Sequence, residues 1–145
     1  MNTSVPSNQP DVPHGEPPFQ ILFVSRMAPG HDFGIVKRIV TGARRANLAR
    51  GISGALLFDG ERFCELIEGA EADVRALLQT VSQDPRHTHV SVLHEGPAAA
   101  GRAVPAWVCG YCDGSDLEAL GSDTGLRDRP ALEAFLAVLR GADVV

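Results

Sequence analysis

The sequence predicts an α+β domain whose strands and helices follow the order β-α-β-β-α-β. The strongest signal is an Asp59-Gly60 pair between two apolar runs, which is typical of a β-hairpin. A segment with apolar residues at helical spacing lies on each side of this hairpin, and a short apolar segment lies beyond each helix. This order is the split β-α-β arrangement of ferredoxin-like domains. We expect a fifth strand as well, and C-terminal helices packed on the other face of the sheet.

Length, composition and charge indicate one globular domain. The chain has 145 residues, of which 44% are hydrophobic and 21% charged, with a formal net charge of −5. The acidic balance argues against nucleic acid as a partner, because binding to phosphate needs clustered Lys and Arg. The three cysteines give no even disulfide framework, and no apolar run reaches the roughly 20 residues that span a bilayer. With no secretion signal at the N-terminus, we expect a cytoplasmic protein.

The N-terminal segment 1–18 is rich in Pro, Ser and Asn, so it is expected to be a disordered tail. An apolar run at 19–25 follows this polar segment and is the first predicted strand. The first helix follows a loop and is expected to be capped by Asp32. The residues of its predicted buried stripe are Val36, Ile39, Val40, Ala43 and Asn47.

Asn47 is the one polar residue of that stripe, and two interpretations are open. It could end the helix, because Asn adopts the left-handed conformation more easily than most residues. It could instead present its amide to a ligand. Spacing alone does not decide between them.

The hairpin gives the second and third strands. The run 52–58 is apolar on both alternating faces, so this strand is expected to be covered on both sides. Its turn is predicted to be of type I′. Beyond the turn, Phe63, Glu65 and Ile67 face one side of the sheet, while Cys64, Leu66 and Glu68 face the other. A carboxyl group between Phe63 and Ile67 must be paired, neutral, in contact with a ligand or at an exposed margin.

The second helix begins at about residue 70 and ends at Asp84-Pro85, with an apolar stripe that includes Val74 and Leu78. A fourth strand is predicted at 87–93. Its two histidines, His87 and His89, would share a face.

The remaining elements are shorter. A small-residue loop at 96–105 precedes a fifth strand at 107–111, and 113–129 is predicted to be a polar connection. A last helix with Leu132, Phe135, Leu136 and Leu139 on one side is expected to cover the sheet face of Cys64 and Leu66. The predicted organisation is thus a tail (1–18), a core (19–112) and a linker with a capping helix (113–145).

Two further motifs have possible chemical roles. Cys109 and Cys112 form a C-x-x-C pair, but residues three apart on a strand face opposite ways, which favours packing over metal binding. Asp84, Arg86 and His87 lie between a helix and a strand, where guanidinium and imidazole groups could hold a phosphate or stack on a base.

Together these segments resemble the BLUF family, flavin-binding blue-light sensors with a ferredoxin-like fold. The similarity runs from about residue 19 to 111. The motifs that carry it are Ala43-Arg44-x-x-Asn47, Gly51-Ile52-Ser53-Gly54-Ala55-Leu56-Leu57, Phe63-x-x-x-Ile67-Glu68-Gly69, Asp84-x-Arg86-His87, and Trp107.

This resemblance implies FAD as cofactor, with the isoalloxazine between the two helices that pack on the sheet. Asn47 would then hydrogen-bond the polar edge of the flavin, and Ile39 would belong to the same site. Arg86 and His87 match positions near the phosphates and adenine of FAD.

The resemblance also shows departures from the family pattern. The family has a Tyr on the first strand, a Gln on the third and commonly a Met two residues after the Trp, and this chain has Phe23, Glu65 and Cys109 there. Phe has no phenolic proton, and a protonated Glu has a single donor where Gln offers a donor and an acceptor. The usual light-driven rearrangement, with Trp107 and Cys109 in its switch region, is therefore expected to be lost or altered.

The expected function is a sensory domain that signals to a protein partner, in a homo-oligomer, and without catalytic activity of its own. An alternative is a flavin-free interaction domain in which the pocket has been repacked. A small enzyme on this fold is a third reading, because Arg26 follows the first strand, but a phosphate loop is lacking.

Overall fold

One six-stranded sheet organises the protein. The computed structural model describes residues 16–121 and 125–144, so most of the predicted tail at 1–18 lies outside the described residues. The elements in chain order are β1 (Phe19–Met27), α1 (Phe33–Arg50), β2 (Ser53–Phe58), β3 (Arg62–Gly69), α2 (Glu71–Gln83), β4 (His87–Pro97), β5 (Trp107–Tyr111), α3 (Gly114–Gly121), α4 (Asp128–Gly141) and β6 (Asp143–Val144).

The sheet order is β4-β1-β3-β2-β5-β6. β2 and β5 run parallel, and the other neighbouring strands are antiparallel. β1, β3 and β2 therefore lie in the interior of the sheet, which explains why the runs in β1 and β2 are apolar on both alternating faces. The predicted β-α-β-β-α-β order with a fifth strand is confirmed.

Two apolar cores lie on opposite faces of this sheet. The core under α1 and α2 contains Phe63 and Ile67, and the core under α3 and α4 contains Cys64 and Leu66. The alternation predicted for β3 is thus correct, and so is the placement of the last helix, whose Phe135 is fully buried. Burying a side chain of this size contributes about 1.5–3 kcal/mol, so both layers stabilise the sheet.

The hairpin turn differs from the prediction. A type I′ turn needs positive φ at both central residues, but only Gly60, with φ of 102°, has it. The Asp59 carboxylate instead accepts hydrogen bonds from the backbone N–H groups of Glu61 (2.9 Å) and Arg62 (2.6 Å). This side-chain closure replaces the backbone geometry expected from the Asp-Gly pair.

Three other differences concern weakly marked segments. β4 extends to Pro97, past its predicted end at Leu93, because it is an edge strand on which a proline removes no needed donor. The region predicted to be a polar connection contains α3, whose Leu117 and Leu120 are buried. β6 adds a two-residue strand beside β5. Within the described residues, no helix is long and apolar enough to cross a membrane.

Candidate functional site

A row of four side chains crosses the sheet on the face covered by α1 and α2. Phe23 pairs with Glu65 across β1 and β3, Glu65 pairs with Leu56 on β2, and Leu56 pairs with Cys109 on β5. We call these four residues the helix-facing row. Phe23, Leu56 and Cys109 all belong to the apolar core on this side. The structure therefore brings together the three residues at which the sequence departs from the family pattern.

Asn47 lies inside α1, one turn before its end. Gly51 is the C-cap and takes the left-handed conformation with φ of 69°, so the interpretation of Asn47 as a helix-terminal Asn is wrong. Asn47 is 1% exposed, and neither its Oδ1 nor its Nδ2 has a hydrogen-bond partner among the described residues. Each such buried and unpaired group costs about 1–3 kcal/mol, so its retention needs an explanation other than stability.

Trp107, on the sheet, also has a buried polar atom without a partner among the described residues. This atom is Nε1, and the ring belongs to the same apolar core as the helix-facing row. Apart from the Asp59–Arg62 ion pair (3.3 Å), the described residues with such unpaired buried atoms are Asn47 and Trp107. Two donor nitrogens and one acceptor oxygen thus remain for a ligand with a polar edge and an apolar body.

Glu65 is the titratable group of this region. It is 5% exposed, and burial raises its pKa from the ordinary value of 4.5 to about 8. At neutral pH the carboxyl is therefore mainly protonated, which is the neutral form among the alternatives that the sequence left open. A protonated carboxyl offers one O–H donor, and it can release that proton near the upper end of the physiological pH range.

The two cysteines of the C-x-x-C pair lie on different faces, as their spacing predicts. Cys109 is in the core under α1 and α2, whereas Cys112 packs against the other core. Burial raises the pKa of both thiols, that of Cys112 to about 11. No group of three metal-ligating side chains occurs within the described residues.

The Asp84-x-Arg86-His87 motif lies at the C-terminal end of α2. The Nε and Nη2 atoms of Arg86 hydrogen-bond the Asp84 carboxylate at 2.6–3.0 Å, and these bonds lower the pKa of Asp84. His87 is buried, with its ring against Phe63 and its Nδ1 2.9 Å from Ser25 Oγ. Burial lowers the pKa of His87, so the ring is neutral at physiological pH. A phosphate contact by Arg86 would have to use its remaining Nη1 or displace Asp84.

His87 and His89 do not form the predicted pair. His89 has φ of 55°, in the left-handed region, at an irregularity in the pairing of β1 with β4. Its exposed ring lies 3.0 Å from Thr88 Oγ1, away from the buried His87. The period of two that predicts a shared face fails at such a bulge.

The described structure also contains an open cavity of about 780 Å³ where α1 ends and α2 begins. Its lining includes Arg50, Gly51, Gly69 and Arg102, and none of the predicted site residues. Sequence reasoning also missed Glu68, which is fully buried on the opposite face of β3 and hydrogen-bonded to Gln20, Ala103 and Val104. Alternation already placed that carboxyl on a covered face, and this was the available signal.

Comparisons with known proteins bear on this arrangement. The family model "BLUF: Sensors of blue-light using FAD" matches residues 19–110. The blue light- and temperature-regulated antirepressor BluF of Escherichia coli (strain K12) is 36% identical over 55 residues, which are 38% of this chain and 14% of that protein. The photoactivated adenylate cyclase subunit alpha of Euglena gracilis is 40% identical over 57 residues, 39% of this chain and 6% of that protein. Among solved structures, the dark state of BlrB, a BLUF protein, is 26% identical with a TM-score of 0.64. The match covers 87% of this chain and 94% of the BlrB chain.

Proposed function

The chain belongs to the BLUF family, sensors of blue light using FAD, and we propose that it is an FAD-binding sensory domain that acts on a protein partner. The observation that carries the proposal is the Asn47 amide, which is buried at the C-terminal end of the apolar face of α1, with no partner for either polar atom among the described residues. A ligand with donors and acceptors along one edge would satisfy it, and a flavin has such an edge.

The residues around the helix-facing row fit a flavin. Apolar side chains of α1 and α2, among them Ile39 and Val74, would exclude water from its ring system. Asn47 would hold the polar edge with one donor and one acceptor, and the protonated Glu65 would add one donor. When bound, the flavin supplies blue-light absorption and an excited state that accepts an electron.

We further propose that the usual light response is lost or altered. Phe23 and Glu65 are direct neighbours across β1 and β3, so the two replaced residues lie side by side. Phe23 can neither donate nor hold a proton, and Glu65 lacks the amide whose rotation exchanges a donor for an acceptor. Of these two residues, only Glu65 carries an exchangeable proton, and its carboxyl responds to pH as well as to any ligand.

Arg86 and His87 would contact the phosphates or adenine of the bound FAD. The Nε and Nη2 atoms of Arg86 already donate to the Asp84 carboxylate. Arg86 would therefore have to bind the phosphate through Nη1 or release Asp84. Trp107 and Cys109 lie on β5, the strand that precedes the C-terminal helices. They would transmit a change at the flavin site to those helices.

Signalling through a partner is supported by the relatives. The Escherichia coli protein is described as an antirepressor and the Euglena protein as an adenylate cyclase subunit. The alignments span 14% and 6% of those proteins, so neither output is transferred to this chain. A cytoplasmic location, a homo-oligomeric state and a sensory rather than catalytic role complete the proposal.

One observation favours a flavin-free interaction domain as a second candidate. Phe23 is fully buried, and the Arg86 guanidinium already has a carboxylate partner, so the two ends of the site have packing of their own. In that case the Asn47 amide would remain unpaired in the working protein.

The colour of the purified protein separates the two candidates. An FAD-binding domain is expected to be yellow, or to turn yellow on refolding with FAD, with an absorption band at about 450 nm that comes from the flavin itself. An Asn47→Ala variant is the matched control and should hold less flavin. Protein that stays colourless after refolding with FAD would contradict the proposal. A reversible red shift under blue light would contradict the loss of the usual response.

A further inference from the structure

The loop between β4 and β5, residues 98–106, is fastened to the sheet through one fully buried carboxylate. Glu68 Oε1 accepts a hydrogen bond from the backbone N–H of Val104 at 2.9 Å, and its Oε2 accepts one from Ala103 at 2.9 Å. The Gln20 amide also donates to Oε2 at 2.9 Å. Three donors offset the cost of burying this group beside Cys64 and Leu66. Glu68 therefore sets the path of the loop at two consecutive residues.

Arg102 of the same loop makes a second set of bonds. Its Nη2 donates to the backbone oxygen of Gly51 at 2.9 Å, and its Nη1 donates to Ser53 Oγ at 2.8 Å and to the backbone oxygen of Glu68 at 3.1 Å. These acceptors lie at the end of α1, the start of β2 and the end of β3. A single guanidinium thus joins three elements to the loop.

Both sets of bonds involve backbone groups that are close along the chain to Asn47 or to Trp107. The N–H of Gly51 bonds the backbone oxygens of Asn47 and Leu48, so the oxygen that Arg102 holds is one turn from Asn47. On the other side, Trp107 begins β5 three residues after Val104, and Gly54 N–H holds the intervening Ala106 oxygen at 2.9 Å. A short chain of hydrogen bonds therefore connects the end of α1 to the start of β5.

We propose that Glu68 and Arg102 are positioning residues, which hold Trp107 in the helix-facing core at a fixed place relative to Asn47. Neither side chain belongs to that core, and Glu68 lies on the opposite face of the sheet. They act through the loop, whose release would free the first residue of β5. The effect on FAD rests on the proposed function, whereas the effect on Trp107 does not.

The single tryptophan of the chain makes this testable in the protein without FAD, because its intrinsic fluorescence comes from one site. In Arg102→Ala and Glu68→Gln, the emission of Trp107 should shift to longer wavelength and acrylamide should quench it more strongly. Arg102→Lys keeps the charge and should restore part of the wild-type emission. Arg140→Ala, an exposed arginine on α4, is the matched control and should leave the emission unchanged.

A merely structural role would have a different signature. Each variant would then lose stability while its folded form kept the wild-type emission and quenching, and this result would overturn the proposal. Should Glu68→Gln fail to fold, Arg102→Ala decides, because Arg102 is exposed and its removal leaves the three hydrogen bonds of Glu68 in place. Circular dichroism identifies which variants are folded.

A second measurement uses the yellow protein. Loss of one charge-assisted hydrogen bond shifts the balance between the fastened and the released loop by roughly tenfold or more, and we expect Arg102→Ala to weaken FAD binding by a similar factor. If wild-type protein binds no FAD, the proposed function fails while the fluorescence result still stands. If FAD binds but Arg102→Ala leaves both affinity and Trp107 emission unchanged, the positioning role fails alone.

Discussion

Asn47→Ala should change stability and cofactor binding in opposite directions. In the protein without FAD, the substitution removes two buried polar atoms that have no partner among the described residues. It also places the best helix former inside α1. Truncating a residue that is retained for folding destabilises the protein, whereas truncating one that is retained for a ligand should stabilise it.

The magnitudes follow from the two unpaired atoms. One buried and unsatisfied group costs about 1–3 kcal/mol. Removing two such groups is therefore stabilising, but the packing lost with the side chain offsets part of the gain. We expect the free energy of unfolding of Asn47→Ala to exceed that of wild type by about 1–3 kcal/mol. With FAD, two hydrogen bonds of about 0.5–1.5 kcal/mol each are lost, which weakens binding roughly 5- to 150-fold.

Urea unfolding of the FAD-free protein measures the first effect, and titration with FAD measures the second. Arg45→Ala, on the exposed side of the same helix, is the control for helix propensity and should change neither quantity much. The reasoning is refuted if Asn47→Ala destabilises the FAD-free protein by more than about 1 kcal/mol, or if it binds FAD as tightly as wild type.

Three further predictions concern the charged and replaced residues of the site. The pKa of Glu65 is raised from 4.5 to about 8 on folding, so its protonated form stabilises the fold below pH 4.5 and that contribution is lost as pH rises toward 8. Glu65→Gln should remove a slope of about 1.4 kcal/mol per pH unit between these limits, measured by urea unfolding at several pH values; equal slopes for the two proteins would show that Glu65 is not buried and protonated. With FAD bound, Phe23→Tyr together with Glu65→Gln should give a reversible red shift in blue light that neither single change gives, and absorbance spectra before and after illumination would show its absence if other residues are also missing. Arg86→Ala should weaken binding of FAD but not of riboflavin, which lacks the phosphates and adenine, while Arg75→Ala on α2 serves as control; equal losses for both ligands would exclude a phosphate contact.

The fold could be predicted because its signals are local and agree with one another. The apolar alternation of β3, the stripe of α1 with its Asp32 cap, and the Asp84-Pro85 stop each fix one element without reference to distant residues. The segments that were missed lack such signals. α3 is marked by little more than Leu117 and Leu120, and β6 exists because β5 offers it an edge.

The site was predictable in its positions and not in its partners. Alternation and helical spacing placed Glu65 and Asn47 on covered faces, but whether a buried polar atom is paired depends on residues far away in sequence. Gly51, four residues after Asn47, was a usable signal, since a glycine at the end of a helix takes the left-handed position and leaves the Asn inside. No local pattern could show that Arg102 reaches back to Gly51 across 51 residues.

The two buried carboxyls of β3 show that hydrogen-bond pairing, and not burial, separates the titratable residue from the one that holds a loop. Glu65 and Glu68 are three residues apart on one strand, so they face opposite sides of the sheet. Glu68 accepts three hydrogen bonds, two of them from the loop that it holds, so both of its carboxyl oxygens already have partners. For Glu65 burial raises the pKa to about 8, so its proton remains available near neutral pH. Exchanging the surroundings of the two would leave the hydrophobic pattern of β3 unchanged and would remove both the fastened loop and the titratable group beside Phe23.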